Sequence, residues 1–358
     1  MKQKKIIIAA VITAVLILLL IMVAAAIHNN QPEDTLPSDN DSNDEYSDKN
    51  SDLEQAETYR GWIINRLGYS YIYNDRALQQ FNGTVKTAQN YAATLNKIEQ
   101  YISSERVYSI IVPTQVEFLD IPSAVMAEDN FFCTSQAEAI FTSISSYKDI
   151  IPINITELLS AHKDEYLYFR TDYNWTANAA YYAYVAFCDT AEITPVPLEN
   201  YEKIELDGYL GWFYTATGSK VLLDNRDTIV YYRTEAEYPC YITVEQDGHK
   251  TYTLKYYGTE LSAVKGYDVF IGKEKAVCKF ETRATGGTLL VIGDSSVHAF
   301  LPFLMHHYSE IIFYNPLCFE SDDSYTLPNA DDVLFMAYAT NANSVSYCEK
   351  MEGLINNE

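Results

Sequence analysis

The sequence lacks the features that mark several common protein classes. None of its six cysteines (Cys133, Cys188, Cys240, Cys278, Cys318 and Cys348) stands in a Cys-x-x-Cys pair, and their spacings are wide and irregular. Structural zinc sites draw on closely paired ligands, so the sequence gives no support for a metal centre. A domain of this size needs no covalent staples, and mostly buried free thiols are expected. Positive charge is scarce: 25 Lys and Arg stand against 49 Asp and Glu, for a formal charge of −24. That imbalance repels phosphate backbones and argues against nucleic acid as a partner. It also suits the bulk of the chain poorly to anionic membrane surfaces. Histidine is rare, at six residues. Tyrosine is abundant: 31 copies offer flat apolar faces with a hydroxyl, which fit saccharides as well as ordinary core packing.

The 358 residues divide by composition. Ile6 to Ile27 form an apolar run broken only by Thr13. At about 1.5 Å per residue it reaches about 33 Å, enough for a bilayer core of about 30 Å. Lys2, Lys4 and Lys5 precede it, and no Lys or Arg follows until Lys49. The positive-inside rule then leaves residues 1–27 as a cytoplasmic stub and membrane anchor, with the rest of the chain outside the cell. A cleaved signal peptide is the rival, with Val23-Ala24-Ala25-Ala26 as its site, but the apolar run is too long for one. Residues 28–58 carry ten acids and one base, Lys49. Such a segment cannot offset its ordering entropy and is expected to be a disordered, extended tether.

From residue 59 to 358 the composition is that of one globular α/β domain. Val107–Val112, Leu289–Gly293, Ile311–Tyr314 and Val333–Ala337 are short apolar runs, the pattern of a parallel sheet covered on both faces. Helical stretches separate them at Thr84–Ile102, Ala177–Cys188 and Ser296–Tyr308. Residues 201–285 differ, being rich in Tyr, Thr and Val with turns such as Gln246-Asp247-Gly248. They predict antiparallel hairpins inserted in the α/β scaffold.

One junction can carry chemistry. Leu289 to Gly293 runs as a strand into Asp294-Ser295-Ser296 and then a helix. A nucleophile there sits at the carboxyl end of a parallel strand, beside free helix N–H groups able to hold an oxyanion. Ser295 is the candidate; the competing reading is that Asp294 or Ser295 merely caps the helix. A serine hydroxyl needs a base. Of the six histidines His298 is left as the candidate, one helical turn along, against the plainer reading of a surface or half-buried helix residue.

The segment Tyr168-Phe169-Arg170-Thr171-Asp172-Tyr173-Asn174-Trp175-Thr176 resembles the signature of the DHHW family, which sits with the alginate O-acetyltransferase-like branch of the SGNH-hydrolase superfamily. Gly61-Trp62, Ile110 to Thr114, Gly211-Trp212-Phe213-Tyr214 and Gly293-Asp294-Ser295 extend the resemblance over about residues 60–345. The resemblance implies an SGNH-like parallel sheet flanked by helices and a Ser-His-Asp triad, with Asp172 orienting and Ser295 attacking. In most SGNH hydrolases the serine comes first; here the acid does. The family's catalytic His is Asn174 in this chain, and its first His is Tyr173. An amide cannot take a proton from serine. Trp175 is expected to pack beneath the site and Thr176 to cap the next helix. The family often has Asn three residues after its serine, where this chain has His298; the resemblance therefore leaves open an exchange between the two motifs, with His298 as base and Asn174 as oxyanion donor. Tyr173, Gly293 and Ser296 are the candidate substrate contacts.

Three functions follow. The first is an enzyme acting on acyl esters of an envelope polysaccharide through Ser295, supplied if acyl transfer occurs by a membrane acyl-donor protein. The second is a degenerate relative that binds glycan or an envelope partner without turnover. The third is a spacer. No metal or organic cofactor is indicated.

Overall fold

A computed structural model describes residues 61–65, 68–121, 133–234, 241–246, 249–254, 266–319 and 325–355. The expected membrane span over residues 6–27 and the acidic tether over 28–58 lie outside these residues. Among the described residues no helix is long and apolar enough to cross a membrane.

The chain opens with an antiparallel meander, β1 (Gly61–Asn65), β2 (Gly68–Tyr73) and β3 (Arg76–Gln79). The strands that follow are β4 (Arg106–Val112), β5 (Ile151–Pro152), β6 (Tyr201–Tyr209), β7 (Asp227–Thr234), β8 (Tyr241–Gln246), β9 (His249–Leu254), β10 (Val277–Glu281), β11 (Thr288–Gly293), β12 (Glu310–Tyr314) and β13 (Asp332–Tyr338). The central sheet has the order β5-β4-β13-β11-β12-β10-β8-β9. Its first five strands are parallel, in the register Leu289↔Ile311, Leu289↔Asp332 and Asp332↔Arg106. The four apolar runs of the sequence are β4, β11, β12 and β13.

Those runs are apolar throughout because alternate side chains meet different layers. Leu289 and Val291 of β11, Ile311 and Phe313 of β12, and Leu334, Met336 and Tyr338 of β13 enter one core, with helices Ala177–Ala191 and Ser296–Leu304. Leu290, Ile292, Ile312, Tyr314, Val333, Phe335 and Ala337 enter the other, with helices Val85–Glu99 and Val345–Glu352. Helix Val85–Glu99 presents Ala88, Tyr91, Ala92, Leu95 and Ile98 to that core, a helical spacing. It starts at a reciprocal cap in which the Thr84 hydroxyl accepts from Thr87 N while Thr84 N donates to the Thr87 hydroxyl. Helix Ser296–Leu304 stops before the expected Tyr308 and contains Pro302, which lacks an N–H to donate.

The β-rich region divides in two. β6 and β7 form a separate antiparallel ribbon, joined through the short helices Trp212–Thr217 and Lys220–Asp224. β8, β9 and β10 instead extend the central sheet in antiparallel fashion beyond β12. The five described cysteines are free; Cys240 lies outside the described residues.

Candidate active site

Two loops meet at the carboxyl ends of the parallel strands. The first follows β11. Gly293 there admits the carbonyl of Met336: a Cβ would lie 2.2 Å from that oxygen and 2.7 Å from Val297 Cγ2. Asp294 does the capping, its Oδ1 accepting Ser296 N at 2.9 Å. Its Oδ2 accepts Tyr338 N at 2.9 Å and Asn341 Nδ2 at 2.6 Å. Ser295 makes no side-chain cap bond, so its hydroxyl is available to the site.

The second loop carries Asp172. Buried Asp227 on β7 holds it, accepting Arg170 N and Thr171 N at 2.8 Å each, the Thr171 hydroxyl at 2.5 Å, and the Tyr166 hydroxyl. Trp175 is fully buried, and its Nε1 donates to Ser296 O at 3.0 Å, tying the two loops together. Thr176 occupies the expected cap position without capping: its hydroxyl donates to Tyr166 O at 2.7 Å instead.

Asp172, Asn174 and Ser295 form one hydrogen-bonded line. Asp172 Oδ1 accepts Asn174 N at 2.9 Å and Asn174 Nδ2 at 2.7 Å. Its Oδ2 accepts the Tyr209 hydroxyl at 2.6 Å and Trp212 N at 2.8 Å. An ionised carboxylate only accepts, so the amide nitrogen of Asn174 faces Asp172 and its oxygen faces away. That oxygen accepts the Ser295 hydroxyl at 3.1 Å and the Tyr338 hydroxyl at 3.3 Å. Tyr338 in turn accepts Trp175 N at 3.0 Å. Gly211 lies against Asp172 so closely that a Cβ would fall 2.3 Å from Oδ2. The Gly211-Trp212 pair thus serves the carboxylate twice, by omitting a side chain and by offering a backbone N–H.

Burial raises the Asp172 and Asp294 carboxyls above the usual range, while their hydrogen bonds pull the other way. His298 is 2% exposed and burial alone holds its imidazole down to about 3, so it is neutral at physiological pH. Its ring stacks on Tyr267 with centroids 5.9 Å apart and meets Phe313 edge to face. Its Nε2 has no hydrogen-bond partner, and its ring makes no hydrogen bond with Ser295.

A cavity of about 680 Å³ opens over this line. Asp172, Tyr173, Asn174, Ser295 and His298 all line it. Gly293 and Ser296 do not: both are buried, Gly293 against β13 and Ser296 beneath Trp175. Sequence reasoning did not anticipate Tyr209, Tyr338, Asp227 or Tyr267. Only Tyr338 left a signal, since it continues the alternate row of Leu334 and Met336 at the end of β13.

The model of the family described as "DHHW protein" matches residues 39–314. Among solved structures, a DHHW family protein from Eubacterium siraeum aligns at 24% identity and a TM-score of 0.66, covering 84% of this chain and 98% of its own. Bacillus cereus PatB1, solved with a sulfonyl adduct, aligns at 16% identity and a TM-score of 0.60, covering 78% of this chain and 96% of its own. Identities this low carry the fold alone. No curated protein matches the chain.

Proposed function

The chain belongs to the DHHW family, and on that premise we propose that it holds an acylated saccharide of the cell envelope in the Ser295 cavity without turning it over. The observation that carries this reading is the hydrogen bond from Ser295 to the amide oxygen of Asn174. In the family pattern that partner is an imidazole, which takes the serine proton as the acyl bond forms. An amide oxygen accepts a hydrogen bond but has no useful basicity at neutral pH. His298, an imidazole in the same cavity, is neutral, and its ring is not hydrogen-bonded to the nucleophile. The cavity keeps its binding surfaces: a serine hydroxyl, the Tyr173 and Trp212 rings, and a shape fixed by Asp172 and Asp227. On this reading residues 6–27 anchor the domain outside the cell.

Catalysis is the second reading. Ser295 is free of capping duty and Asp172 is held by four donors, as a triad requires. Acyl transfer or ester hydrolysis through Ser295 would then follow, with a membrane protein supplying the acyl group where transfer occurs. PatB1 carries a sulfonyl adduct, so a sulfonyl fluoride is the reagent of choice. Treating the full chain with it and mapping peptides by mass spectrometry is expected to leave Ser295 unmodified. Rapid, stoichiometric sulfonylation of Ser295 would establish the catalytic reading instead.

A further inference from the structure

An ester has oxygens that accept hydrogen bonds and no proton to give, so a wall that selects an ester must aim a donor at its carbonyl. Most donors on the wall over Ser295 are already spent. Asn174 Nδ2, the Tyr209 hydroxyl and Trp212 N donate to Asp172. The Thr215 hydroxyl donates to Gly211 O at 3.2 Å. The Tyr267 hydroxyl is sealed beneath the surface. Ser295 gives its proton to Asn174 Oδ1 and so turns only lone pairs outward.

Tyr173 still has a proton to give, and it stands beside Ser295 on the same wall. It takes the place of the first His of the signature. Its ring packs edge to face against Trp212, Phe213 and Tyr338, with centroids 6.2, 6.4 and 6.3 Å away. Three such contacts fix the direction of the phenol C–O bond without engaging its oxygen. Among the described residues that hydroxyl makes no full hydrogen bond, though Ser295 is close enough to draw the phenol pKa down a little. Burial, with the Asp172 and Glu274 carboxylates, pushes it up by more. The phenol therefore keeps its proton at physiological pH.

We propose that the Tyr173 hydroxyl is the donor that receives the carbonyl oxygen of the ligand's acyl ester, and that it thereby selects acylated over bare saccharide. The Ser295 oxygen beside it then turns a lone pair toward the carbonyl carbon, an approach that is mildly attractive without a bond being made. The Trp212 ring next to Tyr173 offers apolar surface to the acyl group. A bare sugar hydroxyl in the same place also spans Tyr173 and Ser295, but it gives up more hydration on entering than an ester does. The proposal rests on the reading of the Ser295 cavity as a glycan site.

Calorimetric titration of the purified full-length chain tests it with two probes, cellotetraose and 6-O-acetylated cellotetraose, which differ in the ester alone. The natural chain is expected to bind the acetylated probe about tenfold tighter, the contribution of one good neutral hydrogen bond. Tyr173→Phe keeps the three ring contacts and is expected to bind the two probes alike. It is also expected to melt with the natural chain, because the hydroxyl holds nothing in the fold. A preference that survives Tyr173→Phe would overturn the role of the hydroxyl and leave the acylated-glycan reading standing, as would a clear loss of melting temperature in that variant. Equal binding by the natural chain, or tighter binding of the bare probe, would overturn the selection of the ester and leave a glycan site. Failure of both probes to bind would overturn the glycan reading and the proposal with it.

Discussion

Asn174→His is expected to raise ester hydrolysis in the Ser295 cavity well above that of the natural chain. The side chain at 174 already bridges the gap a base must bridge, 2.7 Å from Asp172 on one side and 3.1 Å from Ser295 on the other. The two nitrogens of an imidazole stand about as far apart as the two heteroatoms of a carboxamide. With Nδ1–H donating to Asp172, Nε2 would face Ser295. The ring reaches further from the main chain than the amide, so the Ser295 and Tyr338 hydroxyls must give way. General-base assistance is typically worth about 10²–10⁴ in rate, or about 2.7–5.4 kcal/mol of barrier. The required shift places the expected gain in the lower half of that range. The Asp172 carboxylate favours the imidazolium, so the rate should rise with pH through an apparent pKa at or above about 6.5. Release of p-nitrophenolate from p-nitrophenyl acetate measures the rate, and Ser295→Ala in the same background must abolish the gain. A folded variant no faster than the natural chain, or a gain that survives Ser295→Ala, would refute the claim that a missing base is what silences the site.

The remaining expectations concern stability. Gly211→Ala sets a Cβ 2.3 Å from Asp172 Oδ2 and should cost about 1–3 kcal/mol; an unchanged melting curve would show that Gly211 does not hold the carboxylate in place. His298→Phe keeps a ring on Tyr267 and removes a buried base. The natural imidazole titrates at about 3 in the fold and about 6.5 when unfolded, so over that window the unfolded chain binds the extra proton. Stability therefore falls as pH drops through it, by up to about 1.4 kcal/mol per unit. The variant should flatten this slope without abolishing it, because burial also lowers His306, to about 4, and His307. Identical slopes from thermal melts across that range would refute the burial argument.

The parallel core was legible because each strand is buried on both faces, which leaves an uninterrupted apolar run. The N-terminal meander gave no such run, and nothing in the sequence of β8 to β10 distinguishes a free hairpin from an extension of the central sheet. Edge pairing is decided by which backbone lies nearby, and that is a tertiary fact. The capping question at Asp294-Ser295 was undecidable from residue types, since both are good caps. Position settled it: the Asp294 side chain reaches back to Ser296 N, while Ser295 begins the helical backbone itself. Asp172 and Ser295 share a cavity, as the family resemblance implied, but the supporting shell could not be read. With 31 tyrosines in the chain, neither Tyr209 nor Tyr338 stood out from core packing.

The choice of Asn at position 174 has a local cause. Two demands meet there: Asp172 Oδ1 requires a donor, and the hydroxyls of Ser295 and Tyr338 require an acceptor. A carboxamide meets both at once without bearing charge. Alanine would leave a buried carboxylate short of a donor, at a cost of about 1–3 kcal/mol or more, and aspartate would set a second carboxylate against the first. Imidazole also meets both demands, and adds a basic lone pair. Once the Ser295 and Tyr338 hydroxyls have moved to admit the longer ring, amide and imidazole meet the same two hydrogen-bonding demands, and proton transfer is what tells them apart. On the proposed reading, that is how the shape of a triad persists without its chemistry. On that reading the loss lies in one side chain, since Asp172 keeps the Tyr209 hydroxyl and Trp212 N as donors and the Trp175–Ser296 bond ties the two loops without the residue 174 side chain.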